Sequence, residues 1–127
     1  MKLARIIFAV AAVYGVLALL PGLFTEALFN QMNPPAVTHP EFYYGFYASA
    51  LVWQFAFMLI AYDPARYRAL MLVAVAEKAA FFVPSMLLYQ SARLAVGGPL
   101  YGAIIDGILM LLFALAWWRS KPGVMIR

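Results

Sequence analysis

Three ionisable side chains lie within stretches of the sequence that are otherwise apolar. Glu77 and Lys78 are adjacent in one stretch, and Asp106 lies in the next one along the chain. A charged side chain at the centre of a bilayer costs at least about 2.5–3.5 kcal/mol, so such residues usually mark a functional site. A carboxyl group in this position is able to hydrogen-bond or protonate a molecule that enters the bundle. We therefore predict Glu77 and Asp106 as candidate catalytic residues, with Lys78 as their charged partner.

The predicted depths of these three groups are similar. The helical rise of about 1.5 Å per residue places Lys78 about 18 Å from the cytoplasmic edge of the membrane. In a core about 30 Å thick, Asp106 lies about 20 Å from the same edge. Ala74 and Gly102 lie one turn from these charges, and small residues let helices approach closely. We expect Glu77, Lys78 and Asp106 to converge inside a helical bundle.

Other polar and aromatic residues are candidates to support a binding site. Gln54 and Tyr47 share a third apolar stretch, where they are placed to orient the polar head of a ligand. His39 and Tyr43 belong to the densest aromatic segment of the chain, residues 39–47. This segment predicts either a mouth for an apolar ligand or a belt at the membrane interface, where aromatic residues are common.

The charged residues also allow a structural interpretation. A pair between Lys78 and Asp106 would fasten two spanning helices, although polar contacts of this kind average only about 0.6 kcal/mol. Three functions remain open: a binding protein or enzyme for a small lipophilic molecule, a non-enzymatic accessory subunit of a larger membrane complex, or an oligomeric proton or ion pathway. The residues do not decide whether the site catalyses a reaction.

The composition of the 127 residues excludes several classes of protein. The chain is 67% hydrophobic and 11% charged, whereas soluble domains carry about 25% charged residues. Its net charge of +4 comes from scattered basic residues, so we expect contact with membrane lipids and not with nucleic acid. The chain has no cysteine and one histidine. We therefore expect no metal and no cofactor.

Four apolar windows have the length of about 20 residues that a membrane-spanning helix needs. They cover residues of about 3–24, 41–62, 64–90 and 99–118. We predict an all-α, four-helix membrane bundle that forms a single domain over residues 1–127. The first window resembles a secretory signal, but its uncharged stretch continues to Phe24. We expect it to be retained as a helix.

Cap residues indicate where the helices begin. Thr38 and Glu41 have the spacing of a capping box, which predicts the start of the second span. Asp63-Pro64 has the pattern of an N-cap followed by proline and predicts the start of the third span. The short turn between these spans predicts that they are antiparallel neighbours. Residues 25–40 form the long outward loop, with a helix break at Asn33-Pro34-Pro35.

The distribution of basic residues predicts the orientation of the chain. Seven basic residues flank one side of the predicted spans: Lys2, Arg5, Arg66, Arg68, Arg119, Lys121 and Arg127. Only Arg93 flanks the other side. Because cytoplasmic loops carry an excess of Lys and Arg, we expect both termini on the cytoplasmic side of a bacterial inner membrane.

The layout of the chain resembles that of small bacterial four-helix membrane families, notably the DoxX-like and BphX-like groups. The resemblance covers most of the chain and is carried by short features: Lys2, Arg5, Tyr14, Pro21, Glu77 and Asp106-Gly107. DoxX relatives are sometimes accessory subunits of redox systems. The resemblance therefore implies an accessory or small-molecule role, with the possibility of a homo-oligomer or a larger membrane complex.

Overall fold

The computed structural model describes residues 1–122, and these are helical apart from short turns and connections. The helices are α1 (Lys2–Leu19), α2 (Glu26–Met32), α3 (Pro40–Tyr62), α4 (Arg68–Gln90) and α5 (Gly98–Arg119), with a 3₁₀ turn at Pro21–Phe24 after α1. The all-α prediction is confirmed for this part of the chain, in which no strand occurs.

Four helical segments are long and apolar enough to cross a membrane. Counting the 3₁₀ turn with α1, the four segments contain 22 or 23 residues each. At about 1.5 Å per residue, that length exceeds the roughly 30 Å of a hydrocarbon core. Length and composition therefore indicate a multi-pass membrane protein.

The segment predicted as a long outward loop contains the short helix α2. Glu26 lies in its first turn, where a carboxylate is favourable. The Phe29 ring packs against Tyr43 of α3 with centroids 5.1 Å apart. The Asn33 side chain, just after the helix, donates to the Phe29 carbonyl at 3.2 Å. The predicted loop therefore contains a helix, which contacts α3 through Phe29.

The predicted helix starts need two corrections. His39 is the residue before α3, and the start of α3 has no side-chain capping bond. Thr38 and Glu41 therefore form no capping box. The Asp63 carboxylate accepts a bond from the Arg66 N–H at 3.2 Å. This bond stabilises a turn over residues 64–67, so α4 begins at Arg68 and not at Pro64.

The four long helices pack chiefly as two pairs. α1 lies along α3 and α4 lies along α5, while α1 and α5 make the main contact between the pairs. The consecutive helices α3 and α4 touch only sparsely. Their short connection keeps the end of α3 close to the start of α4. The two helices are nevertheless not the main packing partners, contrary to the prediction made from the short turn. The sparse contact leaves space between the pairs.

The hydrophobic core fills the half of the bundle nearest the chain termini. The Phe8 and Phe113 rings stack with centroids 4.2 Å apart, and Phe57 meets Phe113 at 5.0 Å. These three rings are fully buried, as are Ile60 and Met71. The core therefore joins four helices at one end, and the other end is the more open part of the molecule.

Candidate functional site

The charged residues predicted from the sequence converge around one amine. The Lys78 Nζ lies 3.4 Å from Asp106 Oδ1 and 3.6 Å from Glu77 Oε2. Adjacent helical residues point about 100° apart, but the flexible four-carbon stem of lysine brings its amine to both carboxylates. The three side chains thus form a single cluster between α4 and α5.

The cluster lies on top of the hydrophobic core. Lys78 is only 5% exposed, and its Nζ lies 5.2 Å from the centroid of the Phe57 ring. Phe57 belongs to the hydrophobic core, so apolar atoms underlie the amine. The two carboxylates and the ring face stabilise a positive charge that burial alone would penalise.

A cavity of about 810 Å³ opens above the charged cluster. Its walls come from α1, α3, α4 and α5, together with residues of α2 and the connection that follows it. It is partly open to the outside and is therefore not a closed cavity. All seven site residues predicted from the sequence line it: His39, Tyr43, Tyr47, Gln54, Glu77, Lys78 and Asp106.

Tyrosines of α3 fix one wall of the cavity. The buried Tyr43 hydroxyl donates to the Gly22 carbonyl at 2.6 Å, which ties α3 to the 3₁₀ turn. The Tyr47 ring packs 4.8 Å from the Tyr43 ring and occupies the space where a Cβ on Gly22 would lie. The Tyr44 hydroxyl donates to Glu26 of α2 at 2.8 Å. The hydrogen bond to Gly22 gives Tyr43 a structural role, whereas Tyr47 presents its ring to the cavity.

Gln54 lies beside the cluster at the bottom of the cavity. It is 1% exposed, and its Nε2 donates to the Ala50 carbonyl at 2.8 Å. Its Oε1 is buried without a hydrogen-bond partner among the described residues. This amide lies against Gly15 of α1 and occupies the space that a side chain at residue 15 would need. Gln54 is therefore a polar group with an unused acceptor in an otherwise apolar contact.

Glu77 borders two openings. It lines the large cavity and also a smaller one of about 240 Å³ between α3 and α4. Phe46, Ala50 and Phe81 line both cavities as well. Glu77 Oε2 has no hydrogen-bond partner within the described part of the chain, and its nearest cation is Lys78. Both carboxylates thus form ion pairs with the same amine, and Glu77 is the one that also borders the smaller opening.

His39 lies at the rim of the cavity and away from the cluster. Its Nδ1 lies 3.4 Å from Glu41 Oε1, and both side chains are well exposed. Its ring packs edge-on against Phe42 with centroids 6.0 Å apart. Residues 1–122 contain no group of three or more His, Cys, Asp or Glu side chains that could hold a metal ion.

Several wall residues were missed in the sequence. Tyr14 and Tyr101 line the cavity from α1 and α5, and Phe81 lines it from α4. Phe81 follows Glu77 by four residues, so helical periodicity places the two on one face. Phe81 was therefore predictable from the sequence. Tyr14 and Tyr101 carry no comparable signal, because their contribution depends on which helices pair.

Comparisons with protein-family models, curated proteins and solved structures found no match to this chain. The resemblance in layout to the DoxX-like and BphX-like groups therefore stays a prediction. The chemistry of the cavity and its charged floor is the basis for a functional proposal.

Proposed function

We propose that the chain is a four-span protein of a bacterial inner membrane, with both termini in the cytoplasm. Six of its basic residues lie at one end of the bundle, at or next to the outer ends of α1 and α5 and the turn that precedes α4: Lys2, Arg5, Arg66, Arg68, Arg119 and Lys121. Arg93 lies at the other end, and Arg127 lies outside the described residues. The excess of positive charge at one end supports a cytoplasmic location for that end.

Within the membrane, the proposed activity is the binding of a small lipophilic molecule that carries a polar head. The cavity above the charged cluster carries this proposal. Its volume of about 810 Å³ lies within the range of about 300–1,000 Å³ that is typical of ligand sites. Such sites combine apolar walls with a few polar groups that fix the ligand. Aromatic walls and the charged floor provide both.

The roles of the polar residues follow from their contacts. Asp106 accepts a bond from Lys78 and holds its amine in place. Glu77 borders both openings, so it is the group proposed to contact the ligand head or exchange a proton with it. Gln54 and Tyr47 are proposed to orient that head from the opposite wall.

A purely structural role explains the cluster less well. The Lys78–Asp106 pair joins α4 to α5, and these helices already pack along most of their length. Fastening would need only one carboxylate, yet Glu77 adds a second one with its own insertion cost. An accessory subunit would turn faces of small residues outward, such as Ala11/Gly15 or Gly98/Gly102. Ala11 and Gly15 are buried against the rest of the bundle, whereas Gly98 is exposed and Gly102 half-buried where they line the cavity.

Native mass spectrometry of the full chain, extracted from cells that express it, tests the binding proposal. We expect a bound small molecule on the wild-type protein. The Ala50→Phe variant should lose it, because Ala50 lines the cavity. The matched Ala48→Phe variant should retain it, because Ala48 is exposed two residues away on the same helix.

Glu77→Gln and Asp106→Asn separate the two carboxylates. We expect Glu77→Gln to reduce ligand retention and Asp106→Asn to lower thermal stability. If Glu77→Gln and Ala50→Phe retain the ligand as the wild type does, the cavity is not its site. A bound protein subunit without any small molecule would favour the accessory role instead.

A further inference from the structure

The charges at the floor of the cavity do not balance. Lys78 is the only lysine or arginine among the described residues that line the cavity. It donates to Asp106 at 3.4 Å, and this pair is neutral as a unit. Glu77 then remains as a second carboxylate, 3.6 Å from an amine that Asp106 already engages. With all three groups ionised, the cluster carries one net negative charge.

An unbalanced charge is costly where water is scarce. The Glu77 side chain is 16% exposed and the Asp106 side chain 17% exposed, and the apolar core lies directly below them. In such surroundings a lone carboxylate needs a proton or a nearby cation. Histidine is the other residue type able to supply positive charge here, but His39 pairs with Glu41 at the rim. The described residues thus supply no second cation to Glu77, which is left to take up a proton or to pair with a cation that enters the cavity.

The walls of the cavity also suit a positive charge. Aromatic side chains surround the space above Glu77, among them Tyr14, Tyr47 and Phe81. The faces of such rings attract cations, and more strongly where water is excluded. The same faces and the net negative floor repel an anion, so fatty acids and similar carboxylates fit this cavity poorly.

We infer that the ligand of this cavity is a lipophilic cation, with Glu77 as its counter-ion. This inference rests on the proposed function and specifies the class of ligand. Asp106 and Lys78 neutralise each other, Glu77 neutralises the positive head, and the aromatic walls take the apolar body. The smaller opening between α3 and α4, also bordered by Glu77, leaves the carboxylate accessible from a second side.

Tetraphenylphosphonium and tetraphenylborate are matched reagents for the test, because they share shape and apolar surface and differ in the sign of charge. The full chain in lipid nanodiscs is titrated with each ion by calorimetry, and protein-free nanodiscs correct for partition into lipid. We expect the phosphonium to bind at least about tenfold more tightly than the borate. Equal binding of the two ions, or tighter binding of the borate, would overturn the inference.

Variants assign the counter-ion. Glu77→Gln should weaken phosphonium binding about tenfold, which equals about 1.4 kcal/mol. The control Glu41→Gln removes an exposed carboxylate at the rim and should change binding less than about twofold. If Asp106→Asn abolishes binding while Glu77→Gln does not, Glu77 is not the counter-ion. The comparison of the two ions on the wild type remains decisive even if a variant does not fold.

A neutral reagent separates this inference from the proposed function. N-phenyl-1-naphthylamine is an uncharged lipophilic fluorophore, and Ala50→Phe should block its binding to the cavity. If the naphthylamine and both ions bind with no preference for positive charge, the lipophilic site stands and the cation inference fails. If none of the three binds to the wild type, the proposed function and the inference fail together.

Discussion

The side-chain amide of Gln54 lies directly against the backbone of Gly15, so a Cβ at residue 15 would overlap with the amide. Overpacking of this kind typically costs about 1–3 kcal/mol. Gly15→Ala should therefore lower the midpoint of thermal unfolding in detergent. The control Gly45→Ala adds a Cβ that meets no described atom within 4 Å, so it should leave that midpoint unchanged or raise it, because alanine favours helix. Equal midpoints for the two variants would contradict this close approach.

The apolar windows of the sequence were sufficient to predict the four long helices. Each window has one strong signal, a run of apolar residues near the length that a bilayer requires. The short helix α2 has no such signal, because seven residues show little periodicity. Its position depends on Phe29 packing against Tyr43, a contact that only the folded chain reveals.

The cluster and the cavity differ in how far the sequence predicts them. Equal depths and nearby small residues were enough to predict that Glu77, Lys78 and Asp106 converge. The sequence predicted residues that line the cavity but not its width, because the width depends on α3 and α4 remaining apart although they are consecutive in the chain. Connection length constrains which ends are close, but the packing of side chains decides which helices pair.

Removal of the central amine should destabilise the protein. Lys78→Met leaves two carboxylates close together without the cation that lies 3.4 and 3.6 Å from them. Removing one partner of a buried ion pair costs about 3–5 kcal/mol of folding stability. We therefore expect a clear loss of thermal stability at neutral pH. Adding Asp106→Asn to Lys78→Met should restore part of that loss, because one unbalanced charge disappears. The measurement is the midpoint of thermal unfolding in detergent.

Lys121→Met provides the matched control for this experiment. The Lys121 amine lies 5.2 Å from the Trp118 ring centroid on the exposed surface, and no carboxylate of the described residues is in contact with it. Its loss should change stability by less than about 1 kcal/mol. A Lys78→Met variant as stable as Lys121→Met would mean that the amine of Lys78 does not hold the carboxylates together.

The interface between α4 and α5 depends on a glycine. A Cβ on Gly107 would approach the Phe82 ring to 2.6 Å, so Gly107→Ala should force this ring to move and lower stability by about 1–3 kcal/mol. Gly102 lies on the same helix, and a Cβ there meets only Phe81 at 4.0 Å. Gly102→Ala should therefore unfold near the wild-type temperature. The expectation fails if the two alanine variants unfold at the same temperature.

The orientation of the chain can be measured with single cysteines, because the natural sequence contains none. Ala36 is exposed in the connection between α2 and α3, and Ala65 is exposed in the turn between α3 and α4. A membrane-impermeant maleimide should label the Ala36→Cys variant in cells with a permeabilised outer membrane and an intact inner membrane. It should label the Ala65→Cys variant only after the inner membrane is opened, because the basic residues Arg66 and Arg68 predict a cytoplasmic turn. The cysteine-free parent measures background labelling. Labelling of Ala65→Cys across an intact inner membrane, with Ala36→Cys protected, would show the inverse orientation and would place the open end of the cavity on the cytoplasmic side.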